Sequence, residues 1–244
     1  MNVANWLTTI GRESARIVLH SRCIVCEAEL PWRDRAGSCC GRCWHALPKI
    51  TRPKCRRCAV VWETDQEVER YLCIPCRDRE TSLDWIDAWG DYSGGLERVI
   101  HAFKFERHDF LSGPLAGLLF ETWSSRADAE FDAVVPVPMH RKKLRRRGYN
   151  QAELLARGLA RRTGIRLERR MLESTGLRET QSTLARDERA ANVRGAFVAA
   201  SAANARSILV VDDICTTGET LRACADALHA AGAARVSALA VARA

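Results

Sequence analysis

The sequence has no apolar run near the roughly eighteen residues a membrane-spanning helix needs, which excludes a helical membrane protein. Its opening stretch, MNVANWLTTIGRESARIVLH, lacks the early basic region of a secretory leader, and Arg12, Glu13 and Arg16 interrupt its apolar part. Trp6, Leu7, Ile10, Ile17 and Val18 instead follow helical spacing, so the stretch reads as a short packing helix and a cytoplasmic location is expected. Neither GxxxxGK(S/T) nor GxGxxG occurs, so the ordinary nucleoside-triphosphate and dinucleotide loops fit poorly. No internal repeat exists beyond one doubled cysteine unit.

What remains is a soluble-type composition, 47% hydrophobic and 28% charged, in 244 residues, enough for one substantial core and a smaller module. The net charge of +8 permits a polyanionic partner without requiring one.

Nine of the eleven cysteines fall between Cys23 and Cys76, and eight of them form four Cys-x-x-Cys pairs: Cys23/Cys26, Cys40/Cys43, Cys55/Cys58 and Cys73/Cys76. In a chain expected to be cytoplasmic this is metal spacing rather than a disulfide ladder. Two thiolates on one tight turn present both sulfurs to a single tetrahedral ion, and a second turn completes the shell. Two structural Zn2+ ions are expected, with sequential and alternate pairing both open and Cys39 a spare beside Cys40. Four cysteines per ion leave no open position for catalysis, and so short a segment depends on its metal for a fold.

The charged stretch RDRETS marks a boundary, giving an N-terminal helix and double zinc ribbon over residues 1–80 and a second domain over 81–244. In the second domain strand and helix signals alternate. WIDAWGDYSG, AVVPVP, GAFVAA, SILVVDD and RVSALAVARA read as strands. LERVIHAFKF, FLSGPLAGLLFETW, NQAELLARGLARRTG and ETLRACADALHAAGA read as helices, the third with Asn150 as N-cap and Gly164 as stop. That alternation predicts an α/β fold with a parallel sheet and helices on its faces.

Ligands of such sheets sit beyond the carboxyl ends of the strands. There SILVV runs into Asp212 and Asp213, followed by a short loop with Thr216, Thr217 and Gly218 and a helix beginning near Glu219 and Thr220. Backbone N–H groups and the positive helix end would hold an anion, with Gly218 allowing close approach. The two carboxylates would accept hydrogen bonds from a diol, directly or through Mg2+. The pattern predicts a sugar-phosphate ligand. A second polar segment, RKKLRRRG, carries six cations between Arg141 and Arg147, interrupted only by Leu144. Pyrophosphate would use two of them, and a single-stranded nucleic acid could use the rest, with Tyr149 or a tryptophan as stacking surface.

VVDDICTTGET resembles the 5-phosphoribosyl-1-pyrophosphate (PRPP) motif of type I phosphoribosyltransferases. With the double zinc ribbon, VVPVPMHRKKLRRRGYNQAELLA and RAANVRGAF, almost the whole chain past the first helix is similar to the ComF family of competence proteins. The resemblance implies that Asp212 and Asp213 contact the ribose hydroxyls, as the candidate catalytic pair, and that Thr216, Thr217, Gly218, Glu219 and Thr220 bind the 5-phosphate. It implies that Met139, His140, Arg141 and Lys142 take the pyrophosphate, with Arg145 and Arg147 available to nucleic acid. Leu177–Asn192, with Arg178, Gln181 and Arg189, matches the family's mobile segment. The implied cofactors are Zn2+ and, with PRPP, Mg2+. The implied partners are PRPP or a related ligand, single-stranded DNA and DNA-uptake helicase machinery. The family reading is a protein that handles incoming DNA in natural transformation. The alternative is a phosphoribosyltransferase transferring phosphoribosyl to a nucleobase or amine with pyrophosphate release. Thr216 departs from purine-salvage members, which carry an acidic base there, and Cys215 stands where the broad pattern has an aliphatic residue.

Overall fold

A computed structural model of the chain describes residues 22–30, 38–62, 72–78, 81–126, 130–176, 195–200, 203–204 and 206–244. The expected N-terminal helix and the Leu177–Asn192 segment lie outside these residues. Two short helices, α1 (Gly41–His45) and α2 (Ile74–Asp78), belong to the cysteine-rich segment. The remainder is a five-stranded sheet of β1 (Ile86–Asp91), β2 (Ala133–Pro136), β3 (Arg166–Leu167), β6 (Ser207–Cys215) and β7 (Arg235–Arg243). Its order is β1-β7-β6-β2-β3, and every pairing is parallel.

A parallel strand is covered on both faces and therefore reads as a continuous apolar run. In β6, Ile208 and Val210 face a core shared with α7 (Glu219–Ala230), while Leu209 and Val211 face a second core. The second core holds α3 (Gly94–Phe105), α4 (Ser112–Ser124) and α6 (Gln151–Thr163). The caps read from the sequence are present. Asn150 Oδ1 accepts the Ala152 N–H at 3.1 Å, and Gly164 closes α6 in the left-handed conformation at φ 76°.

Two segments differ from expectation. GAFVAA supplies β5 (Phe197–Ala199), which leaves the main sheet and pairs antiparallel with β4 (Leu172–Ser174). The reason is its one-sided character: Phe197 is buried, whereas Val198 is exposed, a pattern suited to a hairpin lying over the sheet end rather than to a central strand. The segment after Pro138, for which no helix was read from the sequence, forms the helix α5 (Arg141–Arg147), started by His140 Nδ1 accepting the Lys142 N–H and closed by Gly148 at φ 87°.

The cysteine-rich segment is fastened to the free edge of the sheet. The Ile50 N–H donates to the Trp89 carbonyl at 3.0 Å, that of Asp91 to Pro48 at 2.9 Å, and that of Ile86 to Arg57 at 2.8 Å. A side chain at Gly90 would stand 2.6 Å from the Pro48 carbonyl oxygen, so glycine is what lets the two backbones meet. Asp87, 3% exposed, receives Lys54 from the cysteine-rich side at 2.5 Å and Arg126 from beyond α4 at 2.9 Å. The edge that β1 would otherwise present to other chains is thereby covered. Among the described residues no helix is long and apolar enough to cross a membrane.

Candidate phosphoribosyl site and metal centres

Cys23, Cys26, Cys40 and Cys43 form one group and Cys55, Cys58, Cys73 and Cys76 another, with the sulfurs of each group within 4.8 Å of one another. The pairing is sequential. The groups fit zinc in donor type, number and spacing. Turn amides support the sulfurs: the Cys40 N–H points to Cys23 Sγ at 3.3 Å, and the Cys73 N–H to Cys55 Sγ at 3.4 Å. Burial raises the Cys23 thiol, but the N–H groups of Cys40, Cys26 and Val25 outweigh it and hold it down at about 6. Cys55 is brought to about 7 in the same way, burial being overcome by the N–H groups of Cys73, Arg57 and Cys58. One thiolate in each group is thus available to recruit a dication, whose charge then favours deprotonating the others. Cys39 stays outside, its buried thiol near its neighbour's carbonyl and pushed up to about 12 by burial and then by Cys23.

At the carboxyl end of the sheet lies a cavity of about 310 Å3. Strand β6 carries Asp212 and Asp213 to its rim, and the turn after β2 brings Met139 and His140. Asp213 is 7% exposed, and its Oδ1 lies 3.0 Å from Lys104 Nζ at the last turn of α3. Its own N–H donates to Asp212 Oδ1 at 2.9 Å. The hairpin contributes Ser174 and Phe197, with Gly176 packed so close that a Cβ there would lie 2.8 Å from His140 Nε2.

The loop Thr216–Gly218 divides its residues. Thr216 and Thr220 line the cavity, whereas Thr217, Gly218 and Glu219 form the turn beneath it. Gly218 is left-handed at φ 80°, and the Glu219 N–H donates to Thr217 Oγ1 at 3.4 Å. Arg222 braces the turn, reaching the Thr217 carbonyl at 3.0 Å and the Glu219 carboxylate at 2.5 Å. The Glu219 carboxylate is thereby directed along α7.

The basic helix is divided as well. Lys143 and Arg147 line the cavity, while Arg141, Lys142 and Arg145 stand on its exposed flank. Gln151, 1% exposed, accepts from Arg147 Nη1 at 3.1 Å and donates to the Lys104 carbonyl at 3.3 Å, joining α3, α5 and α6 behind the site. Asn150 Nδ2 donates to the Val137 carbonyl at 3.0 Å and anchors the turn that carries His140. Lys104 and Gln151 were missed in the sequence. Their signals were faint: a lysine among the apolar residues ending LERVIHAFKF, and a second amide behind the N-cap asparagine. The cavity thus sets two carboxylates and threonine hydroxyls against the cations Lys104, Lys143 and Arg147. That arrangement suits a ligand bearing both hydroxyls and anionic groups.

Residues 115–244 match the family model of the phosphoribosyl transferase domain. Competence protein F of Haemophilus influenzae is 30% identical over 232 residues, covering 91% of this chain and 97% of that protein. The DNA utilization protein YhgH of Escherichia coli K12 is 31% identical over 168 residues, 67% of this chain and 74% of that one. Among solved structures, the glutamine PRPP amidotransferase from B. subtilis aligns at 21% identity with a TM-score of 0.38, over 53% of this chain and 26% of that enzyme.

Proposed function

Because the chain belongs to the ComF family of competence proteins, we propose that it handles single-stranded DNA during natural transformation and holds PRPP or a related phosphoribosyl ligand. The observation that carries the reading is the cavity at the end of β6, where the buried Asp213 and its neighbour Asp212 adjoin the glycine turn that starts α7. On this reading the first-turn amides of α7, with Thr216 and Thr220, hold the 5-phosphate, and Asp212 and Asp213 accept from the ribose diol. Lys143 and Arg147 face the pyrophosphate end. The paired carboxylates are hard oxygen donors of the kind magnesium takes, so Asp212 and Asp213 would also hold Mg2+, which supplies charge neutralisation at the diphosphate. The exposed flank of α5, with Arg141, Lys142, Arg145 and Arg146, takes the phosphates of the strand.

Zinc in the two cysteine groups is structural, residues 1–80 form the unit it organises, and 81–244 form the phosphoribosyl domain. The protein works in the cytoplasm beside the DNA-uptake helicase machinery. Binding rather than turnover is favoured by Thr216, whose hydroxyl lines the cavity where purine-salvage enzymes place a carboxylate base.

Calorimetry with PRPP and Mg2+ tests this, with heat of binding expected for the native chain and none for Asp213→Asn. No uptake of PRPP or ribose 5-phosphate by the native chain would sink the ligand reading. Pyrophosphate release with a panel of nucleobases would turn the assignment to an active transferase.

A further inference from the structure

Of the described tryptophans, Trp85 and Trp89 are buried, Trp44 packs against the core and Trp123 stacks on Phe120 at 5.7 Å, while the exposed Trp62 belongs to the cysteine-rich segment. Tyr149 is committed too, its hydroxyl donating to the Phe103 carbonyl. Two exposed rings lie at the last residue of α3 and on the stretch that follows it. Phe105 is 54% exposed and Phe110 40%. Each is paired with a histidine, Phe105 with His101 at 4.9 Å between ring centroids and Phe110 with His108 at 5.1 Å. The Phe105 ring is adjacent to the basic helix, since the Arg147 guanidinium carbon sits 4.7 Å from its centroid. Arg107 lies in the chain between the two ring pairs.

An isolated exposed phenylalanine needs no explanation. Two exposed phenylalanines with imidazoles tilted against them at 41° and 31°, one of them touching a helix with six cations in seven positions, form a composite suited to a single-stranded nucleic acid. Single-strand binders place a cationic track for phosphates beside aromatic faces for bases. We propose that Phe105 with His101, and Phe110 with His108, form the base-stacking surface for a single-stranded nucleic acid whose phosphates run along α5. The proposal rests on the strand-binding part of the function above and adds the residues that take the bases. It also places the strand next to the phosphoribosyl cavity, because Arg147 touches Phe105 and lines that cavity.

The test uses the zinc-loaded full chain, an oligothymidylate of about twenty nucleotides and an abasic strand of equal length, read by fluorescence anisotropy across a salt series. The native chain is expected to prefer the oligothymidylate by about ten-fold or more, since base stacking on aromatic rings adds to the phosphate contacts that both strands share. Phe105→Ala with Phe110→Ala should bring that preference close to unity while leaving the salt slope unchanged. Phe105→Leu, which keeps apolar bulk and removes the ring face, should lose most of it, and Phe105→Trp should keep or raise it. A preference that survives both Phe105→Ala and Phe105→Leu overturns the stacking surface. A polyglutamate chain that binds as tightly as the oligothymidylate, and weakens equally in Phe105→Leu, would make this a protein-docking face and also overturn it. If the native chain binds neither strand, or Arg145→Ala with Arg146→Ala leaves the salt slope unaltered, the strand-binding function itself fails.

Discussion

Replacing Gly218 by alanine probes the turn on which the candidate ligand site rests. At φ 80° the residue is left-handed, which costs an alanine about 1–2 kcal/mol. The added Cβ would also stand 3.0 Å from Ile86 Cδ1 and 3.5 Å from an Arg222 terminal nitrogen. Arg222 is the flexible partner, but Ile86 is 2% exposed and held in β1, so relieving that contact adds about 1 kcal/mol. The expected loss is therefore about 2–3 kcal/mol, read by urea denaturation. Ile86→Val removes the Cδ1 atom, so in that background Gly218→Ala should cost only the backbone share, about 1–2 kcal/mol. Calorimetry on the same variants should show PRPP affinity falling at least about ten-fold with Gly218→Ala in both backgrounds, because the first-turn amides no longer converge. A stability loss below about 0.5 kcal/mol would refute the strained turn, given the penalty for a left-handed alanine. A penalty undiminished by Ile86→Val would refute the contact.

Cys55→Ser should leave one zinc equivalent of two by elemental analysis, whereas Cys39→Ser should keep both; metal loss in Cys39→Ser would show that the spare cysteine is a ligand. Asp87→Asn should lower stability by about 3 kcal/mol, because Lys54 and Arg126, themselves largely shielded, lose the one carboxylate they share. It should also loosen residues 48–57 from β1, checked as faster amide exchange at Ile50 and Ile86.

Wherever a feature rests on neighbouring residues, it could be read in one dimension. The apolar run Ile208–Val211 ending in Asp212 and Asp213 announces a buried parallel strand delivering acids to the sheet's carboxyl edge. The four Cys-x-x-Cys turns announce metal, and Asn150 with Gly164 brackets α6, because each of these depends on residues within a turn or two of one another. The basic run was legible as charge and not as a helix, since repeated cations mask periodicity and the start depends on a weak cap from His140.

Other features required the chain to come back on itself. Local spacing serves sequential and crossed cysteine pairing equally, and the distances between turns in space chose the first. GAFVAA has the length and apolarity of a sheet strand, yet its exposed Val198 suits only the hairpin over the cavity. Lys104 and Gln151 become cavity residues because α3 ends and α6 begins beside the end of β6, the two residues being forty-seven positions apart in the chain but in hydrogen-bond contact. Phe105 gains its meaning from Arg147, a neighbour no periodicity in either segment announces. Side-chain chemistry and short-range spacing were enough to propose the ligand classes. Which residues meet around the cavity was decided by the packing of α3, α5 and α6 at one end of the sheet, through contacts between segments distant in the chain.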